Sequence, residues 1–254
     1  MPKVSIVIPV HNGEKTIARS LESISRQTYR DFETVLVNNN CTDKTLEIAE
    51  KYSSRDAANI RVVDCATAGI VPALNTGIQH SNSRYIARQD DDDYWYKEKL
   101  QKQVEFLDGN PEISIVGTQI RILNEDGVPQ KLGTYGKAIV YPQIDEEIRL
   151  MMLLGQNPFC PPSVLIRSEV FLRVGGYSQF FHLAEDLDLW LRAFPFFKFS
   201  NLEEVLIDYT QTIREDYDPR VTQYMSKMYW SLYQACGLVA GDRPDITYEW
   251  ETKA

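Results

Sequence analysis

The amino-acid sequence predicts an α/β fold, with one mainly parallel, open central sheet flanked by helices. Short apolar, β-branched runs alternate with segments whose apolar residues recur every three or four positions, over about the first 90 residues. Strands that alternate with helices pair in parallel, because each helix returns the chain to the starting edge of the sheet. Such sheets bind ligands beyond the carboxyl ends of their strands, so a site is expected at that edge.

The first half of the chain shows this alternation most clearly. The run VSIVIPV ends shortly before Asn12 and Gly13, as a buried strand does, and Ile17, Leu21 and Ile24 then fall on one helix face. Short apolar runs predict strands at residues 4–10, 33–37, 60–63 and 85–87. Helical periodicity predicts helices at residues 14–27 and 70–78, and another that begins after a capping Thr42-Asp43.

Beyond residue 107 the pattern is less regular. Apolar runs predict strands at residues 113–123 and 163–166, and residues 124–127 read as a hairpin turn. Helices are predicted at residues 146–154, from near residue 186 onward, and at about 221–236.

Composition limits the kinds of partner. A chain of 254 residues can bury one sizeable core. Its formal net charge of -9 excludes a nucleic-acid partner, because phosphate binding needs clustered Lys and Arg, and it disfavours docking on an anionic membrane.

The cysteines and the chain start indicate a cytoplasmic protein. The four cysteines form no C-x-x-C pair and are too sparse for a disulfide scaffold, so we expect reduced thiols. Pro9 interrupts the first apolar run too early for a signal peptide. No apolar stretch approaches the roughly 18 residues of a transmembrane helix, so no transmembrane anchor is expected.

Four consecutive aspartates follow the strand predicted at residues 85–87. Two carboxylates about 4 Å apart repel by roughly 4 kcal/mol at an effective dielectric near 20. A solvated acidic turn is the alternative, but it has little reason to lie between a strand and the large aromatics Tyr94 and Trp95. Oxygen ligands suit Mg²⁺ or Mn²⁺, which keep open positions for substrate phosphates. The aspartates are Asp90, Asp91, Asp92 and Asp93.

Two further polar clusters follow predicted strands. Asn38, Asn39 and Asn40 end the second strand, where amides can pair with a base edge and the next helix start favours an anion. A turn with a helix cap fits that segment equally well. His11 and Asn12 end the first strand, where the His11 ring can stack on a base or the segment can form only a tight turn. All three clusters are expected to converge at one edge of the sheet.

Glu185 and Asp186 begin a later predicted helix. Carboxylates at a helix start commonly complement the helix dipole. Alternatively, one of them is a general base that takes a proton from an attacking hydroxyl. His182 precedes them as a metal ligand, an acceptor contact or a plain loop residue.

The sequence lacks the motifs of several other enzyme classes. It contains no G-x-G-x-x-G after the first strand, no G-x-x-x-x-G-K-[ST], no H-E-x-x-H and no G-x-S-x-G. These absences argue against a dehydrogenase, a P-loop protein, a zinc protease and an α/β-hydrolase.

The assembled motifs resemble the family 2 glycosyltransferases of the GT-A fold over about residues 3–210. The stretch from VSIVIPVHNG to NNNCTDKT is similar to their donor-binding half. GIVPALNTGI and YIARQDDDDYWYKEKL resemble the segment with their DXD metal motif, and the stretch from NPFCPPSVLIR to HLAEDLDLWLR resembles their acceptor half. The resemblance implies a GT-A domain at residues 1–212 and a helical extension at 213–254. Within the domain, residues 1–110 would bind the nucleotide-sugar and residues 111–212 the acceptor.

The resemblance also assigns the site residues. Asp90 and Asp92 match the two acids of the DXD motif, which implies a Mn²⁺ or Mg²⁺ ion and the donor diphosphate there, with Asp91 beside the donor. Asp186 matches the catalytic base, with Glu185 next to it. The other residues placed around the donor are Pro9, His11, Asn12, Glu14, Asn38, Asn39, Gly69 and Asn75.

Two positions depart from the family pattern. Asn38-Asn39-Asn40-Cys41 stands where an acidic pair and a glycine-serine are usual. An amide oxygen can accept from the N3–H of uracil as an acid would, but an amide also presents donors, which leaves the nucleobase open. Pro161 stands where a histidine often precedes the proline-serine of the acceptor half.

The implied activity is that of a metal-dependent, inverting glycosyltransferase of hexosyltransferase type, acting in glycan or polysaccharide synthesis. The expected partners are a nucleotide-sugar donor, with a UDP-sugar favoured, and a glycan, lipid-linked or protein acceptor. Two alternatives stay open: a nucleotide-sugar-binding protein without catalysis, and a sugar nucleotidyltransferase.

Overall fold

A computed structural model describes residues 1–53, 59–124, 128–129, 140–181, 183–211 and 220–241. The strands are β1 Val4–Val10, β2 Phe32–Asn38, β3 Ile60–Asp64, β4 Tyr85–Arg88, β5 Tyr94–Trp95, β6 Ile113–Leu123, β7 Leu165–Arg167 and β8 Lys198–Thr210. The helices are α1 Ile17–Ser25, α2 Thr45–Ser53, α3 Ile70–Gln79, α4 Lys99–Gly109, α5 Asp145–Leu153, α6 Ser168–Val174, α7 Glu185–Ala193 and α8 Arg220–Ala235. A short 3-10 turn, Pro161–Ser163, precedes β7.

The strands form one eight-stranded sheet in the order β3-β2-β1-β4-β7-β6-β8-β5. β1 pairs in parallel with β2 and β4, as do β2 with β3 and β6 with β8. β7 pairs antiparallel with both β4 and β6, and β5 pairs antiparallel with β8. The predicted α/β fold is therefore confirmed, with a parallel first half and a mixed second half.

Alternating side chains of the central strands build a core on each face of the sheet. Val7 and Val35 point to one face, where the buried side chains of α3, α5, α7 and α8 join them. Ile6, Ile8 and Leu36 point to the other face and meet α1, α2 and α4. Because successive strand residues point to opposite faces, these fully apolar strands are covered on both sides.

The sequence patterns did not predict four elements, namely β5, α4, α6 and β8. β8 is 13 residues long, but Glu203, Glu204 and Val205 in its middle are exposed. Its register against β6 is also irregular at several points. A strand of this kind has neither clean alternation nor a continuous apolar run. Of the turn predicted at 124–127, residues 125–127 lie outside the described residues.

Helix length and hydropathy bear on the expected absence of a membrane anchor. Among the described helices, none is both long and apolar enough to cross a bilayer.

Gly77 in α3 marks a close approach between helix and sheet. A Cβ there would overlap Cγ1 of Val7 and lie 3.1 Å from Cγ2 of Val37. Gly109, the last residue of α4, has nothing within 4 Å of the same position. The two helical glycines therefore form a matched pair for testing how α3 packs.

We expect Gly77→Ala to lower the free energy of unfolding by about 1–3 kcal/mol, because the added methyl overpacks the contact with β1. Gly109→Ala should leave stability unchanged or raise it by up to roughly 1 kcal/mol, since alanine favours a helix over glycine. Urea unfolding followed by circular dichroism measures both. A Gly77→Ala protein as stable as the wild type would contradict this packing.

Candidate active site

The carboxyl ends of the first four strands lie side by side. The register pairs Val10 with Asn38 and Asn38 with Asp64. Nδ1–H of His11 donates to the backbone oxygen of Asn39 at 2.7 Å, which joins the segments that follow β1 and β2.

Asp91 joins the acidic run to the turn after β1. Its Oδ2 accepts a hydrogen bond of 2.6 Å from Oγ1 of Thr16, and a Cβ at Gly13 would overlap the same oxygen. Burial raises the pKa of Asp91, and the bond from Thr16 opposes that rise. The three polar clusters predicted from the sequence thus lie together at one edge of the sheet.

Asp90 is held by a buried arginine two residues earlier. Nε and Nη2 of Arg88 donate to the two carboxylate oxygens of Asp90 at 2.9 and 3.1 Å. Nη1 of Arg88 donates to Oε1 of Glu185 at 3.4 Å. Burial opposes the charge of Arg88, but the charges of Asp90 and Glu185 raise its pKa well above the usual value. Arg88 therefore stays cationic and links the acidic run to the start of α7.

Asp92 and Asp93 stand in contrasting surroundings. Asp92 is half-buried, and its backbone oxygen accepts from Oγ1 of Thr210 at 2.6 Å. Asp93 is fully buried: its Oδ1 accepts from the backbone N–H of Thr210 at 2.7 Å, and its Oδ2 has no hydrogen-bond partner in the described part of the chain. Burial, and then the charges of Asp90 and Asp92, raise the pKa of Asp93 well above its usual value. Asp93 therefore attaches the end of the acidic run to Thr210 of β8.

The acidic run offers donor atoms for a metal ion whose coordination a bound substrate would complete. Within the described residues, no group of three or more His, Cys, Asp or Glu side chains could hold a metal ion alone. Mg²⁺ commonly binds phosphates with only one or two protein carboxylates, while waters and phosphate oxygens complete its coordination. Asp90 and Asp92 supply such oxygens, and the unpartnered Oδ2 of buried Asp93 shows that local protein donors do not satisfy every carboxylate oxygen here. The donor set is thus suited to Mg²⁺ or Mn²⁺.

The asparagines after β2 use their amides within the protein. Asn39 is 4% exposed; its Nδ2 donates to the carbonyls of Cys65 and Thr67, and its Oδ1 accepts from the N–H of Gly69. Asn38 accepts from the N–H of Cys41 and donates to Asp64. Their predicted contact with a base therefore stays a prediction. Any such contact must use lone pairs or N–H groups of the two amides that these hydrogen bonds leave unoccupied.

Three of the other residues expected at the donor lie in the turn after β1. Oδ1 of Asn12 accepts from the N–H of Thr42, and Oε2 of Glu14 accepts from the N–H of Lys44, so both brace the start of α2. The ring of His11 is exposed beside them.

The structure gives three other residues expected at the donor a place in the fold. They are Pro9, Gly69 and Asn75. Pro9 lies buried in β1, and Gly69 precedes α3 with a φ of 118°, a conformation that glycine adopts without strain. The amide of Asn75 bonds both the N–H and the carbonyl of Tyr177, at 2.8 and 2.9 Å. Asn75 thus ties α3 to the segment before α7, and its predicted contact with the donor stays untested.

Asp186 lies in the first turn of α7. Its Oδ2 accepts from Nδ2 of Asn157 at 2.6 Å, and its Oδ1 accepts from the N–H of Leu187 at 2.7 Å. Burial, and then the charge of Glu185, raise the pKa of Asp186 to about 7, although Arg88 and these bonds oppose the rise. A carboxylate with a pKa near neutrality is suited to accept a proton.

A pocket of about 270 Å³ opens beside Asp186. Asn157 and Cys160 line it from the segment that leads to β7, and Tyr209 lines it from β8. The ring of Phe159 packs edge-on against Trp190 of α7, at 5.4 Å between ring centroids, which fixes one wall. The remaining lining residues are Tyr141, Gly155, Pro161, Leu183, Ala184, Leu187 and Thr222. His182, the alternative base or ligand, lies outside the described residues.

Sequence patterns missed Arg88, Thr16, Asn157 and Thr210. Arg88 alone left a usable signal, since a charged residue at the end of a short buried strand needs buried groups that accept its hydrogen bonds. The other three are neutral side chains whose partners lie at least 29 residues away.

Known proteins resemble the chain in both sequence and fold. The model of glycosyl transferase family 2 matches residues 5–175. EpsE of Bacillus subtilis (strain 168), a protein named as a glycosyltransferase, is 33% identical over 242 residues, covering 92% of this chain and 82% of EpsE. The O-antigen biosynthesis glycosyltransferase WbnJ of Escherichia coli is 30% identical over 212 residues, covering 81% of this chain and 78% of WbnJ.

Solved structures share the fold at lower sequence identity. Residues 1–349 of S. aureus TarS, in complex with UDP-GlcNAc, superpose with a TM-score of 0.68 at 20% identity, covering 92% of this chain and 73% of that one. The mannosyltransferase PcManGT of Pyrobaculum calidifontis, in complex with GDP-Man and Mn²⁺, gives 0.65 at 16% identity, covering 95% and 76%.

We expect Asn39→Asp to lower the free energy of unfolding by about 2–4 kcal/mol. The carboxylate cannot donate to the carbonyls of Cys65 and Thr67 and would be buried against them. Asn40→Asp is the control, because Asn40 is exposed and its Nδ2 makes only a long bond of 3.3 Å to Ala66. Equal stability of the two variants in thermal melts would show that the bonds of Asn39 do not hold the β2 end together.

Proposed function

Because the chain belongs to glycosyl transferase family 2 and is a glycosyltransferase, we propose that it transfers a sugar from a nucleoside-diphosphate donor to an acceptor hydroxyl, with inversion and with a divalent metal ion. The observation that carries the proposal is the placement of Asp186. It is buried, is held by Asn157, has a pKa near 7 and faces a pocket of about 270 Å³.

The transfer is a single displacement at the anomeric carbon. The acceptor oxygen forms the new bond to that carbon, its proton goes to Asp186, and the bond to the departing diphosphate breaks from the opposite face. One protein base is enough, unlike the two carboxylates of glycoside hydrolysis. Glu185 keeps its oxygen on Arg88, so it orients the helix start rather than competing for the proton.

The donor lies along the carboxyl ends of β1, β2 and β4 in this proposal. A Mn²⁺ or Mg²⁺ ion bound by Asp92, with Asp90 beside it, would supply charge neutralisation for the leaving diphosphate. The exposed ring of His11 offers a stacking surface for the base. A UDP-sugar is favoured, because TarS has the same fold and was solved with UDP-GlcNAc. PcManGT was solved with GDP-Man, so the test of donor binding includes a GDP-sugar as the alternative.

The acceptor is a glycan, a lipid-linked sugar or a protein. EpsE and WbnJ carry glycosyltransferase names, and that of WbnJ refers to O-antigen synthesis, which supports a role in polysaccharide assembly. The rival nucleotidyltransferase activity needs a basic, glycine-rich phosphate loop, and the segment His11-Asn12-Gly13-Glu14 provides none. A binding protein without catalysis would have no need for a carboxylate tuned as Asp186 is.

Asp92→Ala is expected to abolish transfer and to remove metal-dependent donor binding while the fold survives. Thermal shift with UDP-, GDP- and dTDP-sugars, each with and without Mn²⁺, measures the binding, because a ligand of the folded state raises its melting temperature. Glu105→Ala on the exposed side of α4 controls for the loss of one negative charge. Near-normal turnover of Asp92→Ala would show that the metal assignment is wrong.

Asp186→Asn keeps the shape of the side chain but cannot take the proton, so turnover should fall by roughly 10² to 10⁴ while donor affinity barely changes. Wild-type turnover should rise with pH through about 7, as the Asp186 carboxyl loses its proton. Steady-state rates of nucleoside-diphosphate release between pH 5 and 9 measure both effects. If the Asp186→Asn protein were active and the Glu185→Gln protein inactive, Glu185 would be the base and Asp186 the orienting residue.

A further inference from the structure

Arg88 is a buried cation at the junction of the two halves of the sheet. It ends β4, the strand that pairs in parallel with β1 and antiparallel with β7. The residue is only 7% exposed, and a guanidinium so placed is tolerated only where buried acceptors take its hydrogen bonds. Its partners are Asp90 and Glu185, two and 97 residues away along the chain.

The three hydrogen bonds of Arg88 engage all three nitrogens of the guanidinium. Nε and Nη2 take both oxygens of Asp90, and Nη1 reaches across to Glu185. Only arginine presents planar donors that can bond one carboxylate with two parallel N–H groups and still reach a second carboxylate. A lysine carries the same charge but a single nitrogen.

We infer that Arg88 is a positioning residue that fixes Asp90 on the donor side and Glu185 on the acceptor side in one arrangement, so that Asp186 faces the anomeric carbon of the bound donor. The inference rests on the proposed function, in which Asp90 and Asp92 lie at the diphosphate and Asp186 takes the proton. Asp186 directly follows Glu185 in the first turn of α7, so a shift of Glu185 moves the base as well.

Arg88 also sets the charge that Asp186 experiences. Among the described residues, the charges that act most strongly on Asp186 are that of Glu185 on its own helix, which raises its pKa, and that of Arg88 from β4, which lowers it. Within the same described part of the chain, the charge of Asp186 also acts on Tyr141, Cys160 and Tyr177. Burial raises the pKa of each, so all three are neutral near pH 7. Loss of Arg88 therefore leaves the negative charge of Glu185 uncompensated beside the base.

Arg88→Met and Arg88→Lys separate charge from geometry. The probe is a nucleotide-sugar that the wild-type enzyme turns over, followed as nucleoside-diphosphate release from pH 5 to 9. We expect Arg88→Met to lower kcat at least 100-fold and to move the acid limb of its pH profile up by about 1 unit. Arg88→Lys should leave the limb within about 0.3 unit of wild type yet lower kcat at least 10-fold. Arg88→Met with Glu185→Gln should return the limb toward wild type.

Arg167→Met is the matched control. Arg167 is also buried in a strand, but it bonds the carbonyls of Leu107, Ile113 and Asn110 and the hydroxyl of Tyr85, and none of its partners within the described residues is a carboxylate. Its loss should reduce stability without moving the pH profile. Thermal melts check that each variant folds, and if Arg88→Met does not fold, the kcat and pH profile of Arg88→Lys decide.

The inference is overturned if Arg88→Lys keeps wild-type kcat, if the limb of folded Arg88→Met does not move, or if Arg167→Met moves it equally. Failure of the proposed function looks different, since no nucleotide-sugar would then be turned over by the wild-type enzyme at any pH.

Discussion

Six carboxyl groups meet around the site, and the protein must keep them together in a largely buried region. They are Asp90, Asp91, Asp92, Asp93, Glu185 and Asp186. Repulsion between neighbouring like charges is strong at the low dielectric of a protein interior. Arg88 compensates two of the carboxylates, and burial raises the pKa of Asp91, Asp93 and Asp186 so that they ionise less readily. The half-buried Asp92 is the carboxylate that the proposed function assigns to the metal ion.

The fold supplies the support for this arrangement. β1, β2, β3 and β4 end at one edge because they are parallel, and the hydrogen bonds of Asn12, Glu14 and Asn39 join the turns that follow them. Beside Asp186, the hydroxyl of Tyr229 in α8 donates to the buried Asp188 of α7 at 2.8 Å. The hydroxyl of Tyr233 donates to the carbonyl of Leu191 in the same helix. α8 therefore braces the helix that carries Asp186.

The sequence predicted the first half of the fold well because each buried strand there is a short apolar run between polar turns. It did not predict α4 or β8, since β8 mixes exposed and buried residues and α4 buries Lys99 and Gln103 among its core positions. The acidic run and the Glu185-Asp186 pair could be recognised directly, because each is a set of consecutive acidic residues in the sequence. The link through Arg88 could not, because it joins residues 97 positions apart. The internal bonds of Asn38 and Asn39 were likewise invisible, since an amide in a sequence does not show which partners it has.

The central claim is a single displacement in which one carboxylate takes the acceptor proton, and slow donor hydrolysis tests it most directly without a known acceptor. Proton NMR during hydrolysis of an α-linked nucleotide-sugar records which anomer of the free sugar forms first, before mutarotation mixes the two. The account predicts the β-anomer together with a nucleoside diphosphate. The α-anomer as the first product would contradict inversion, and a nucleoside monophosphate with a sugar 1-phosphate would contradict glycosyl transfer itself.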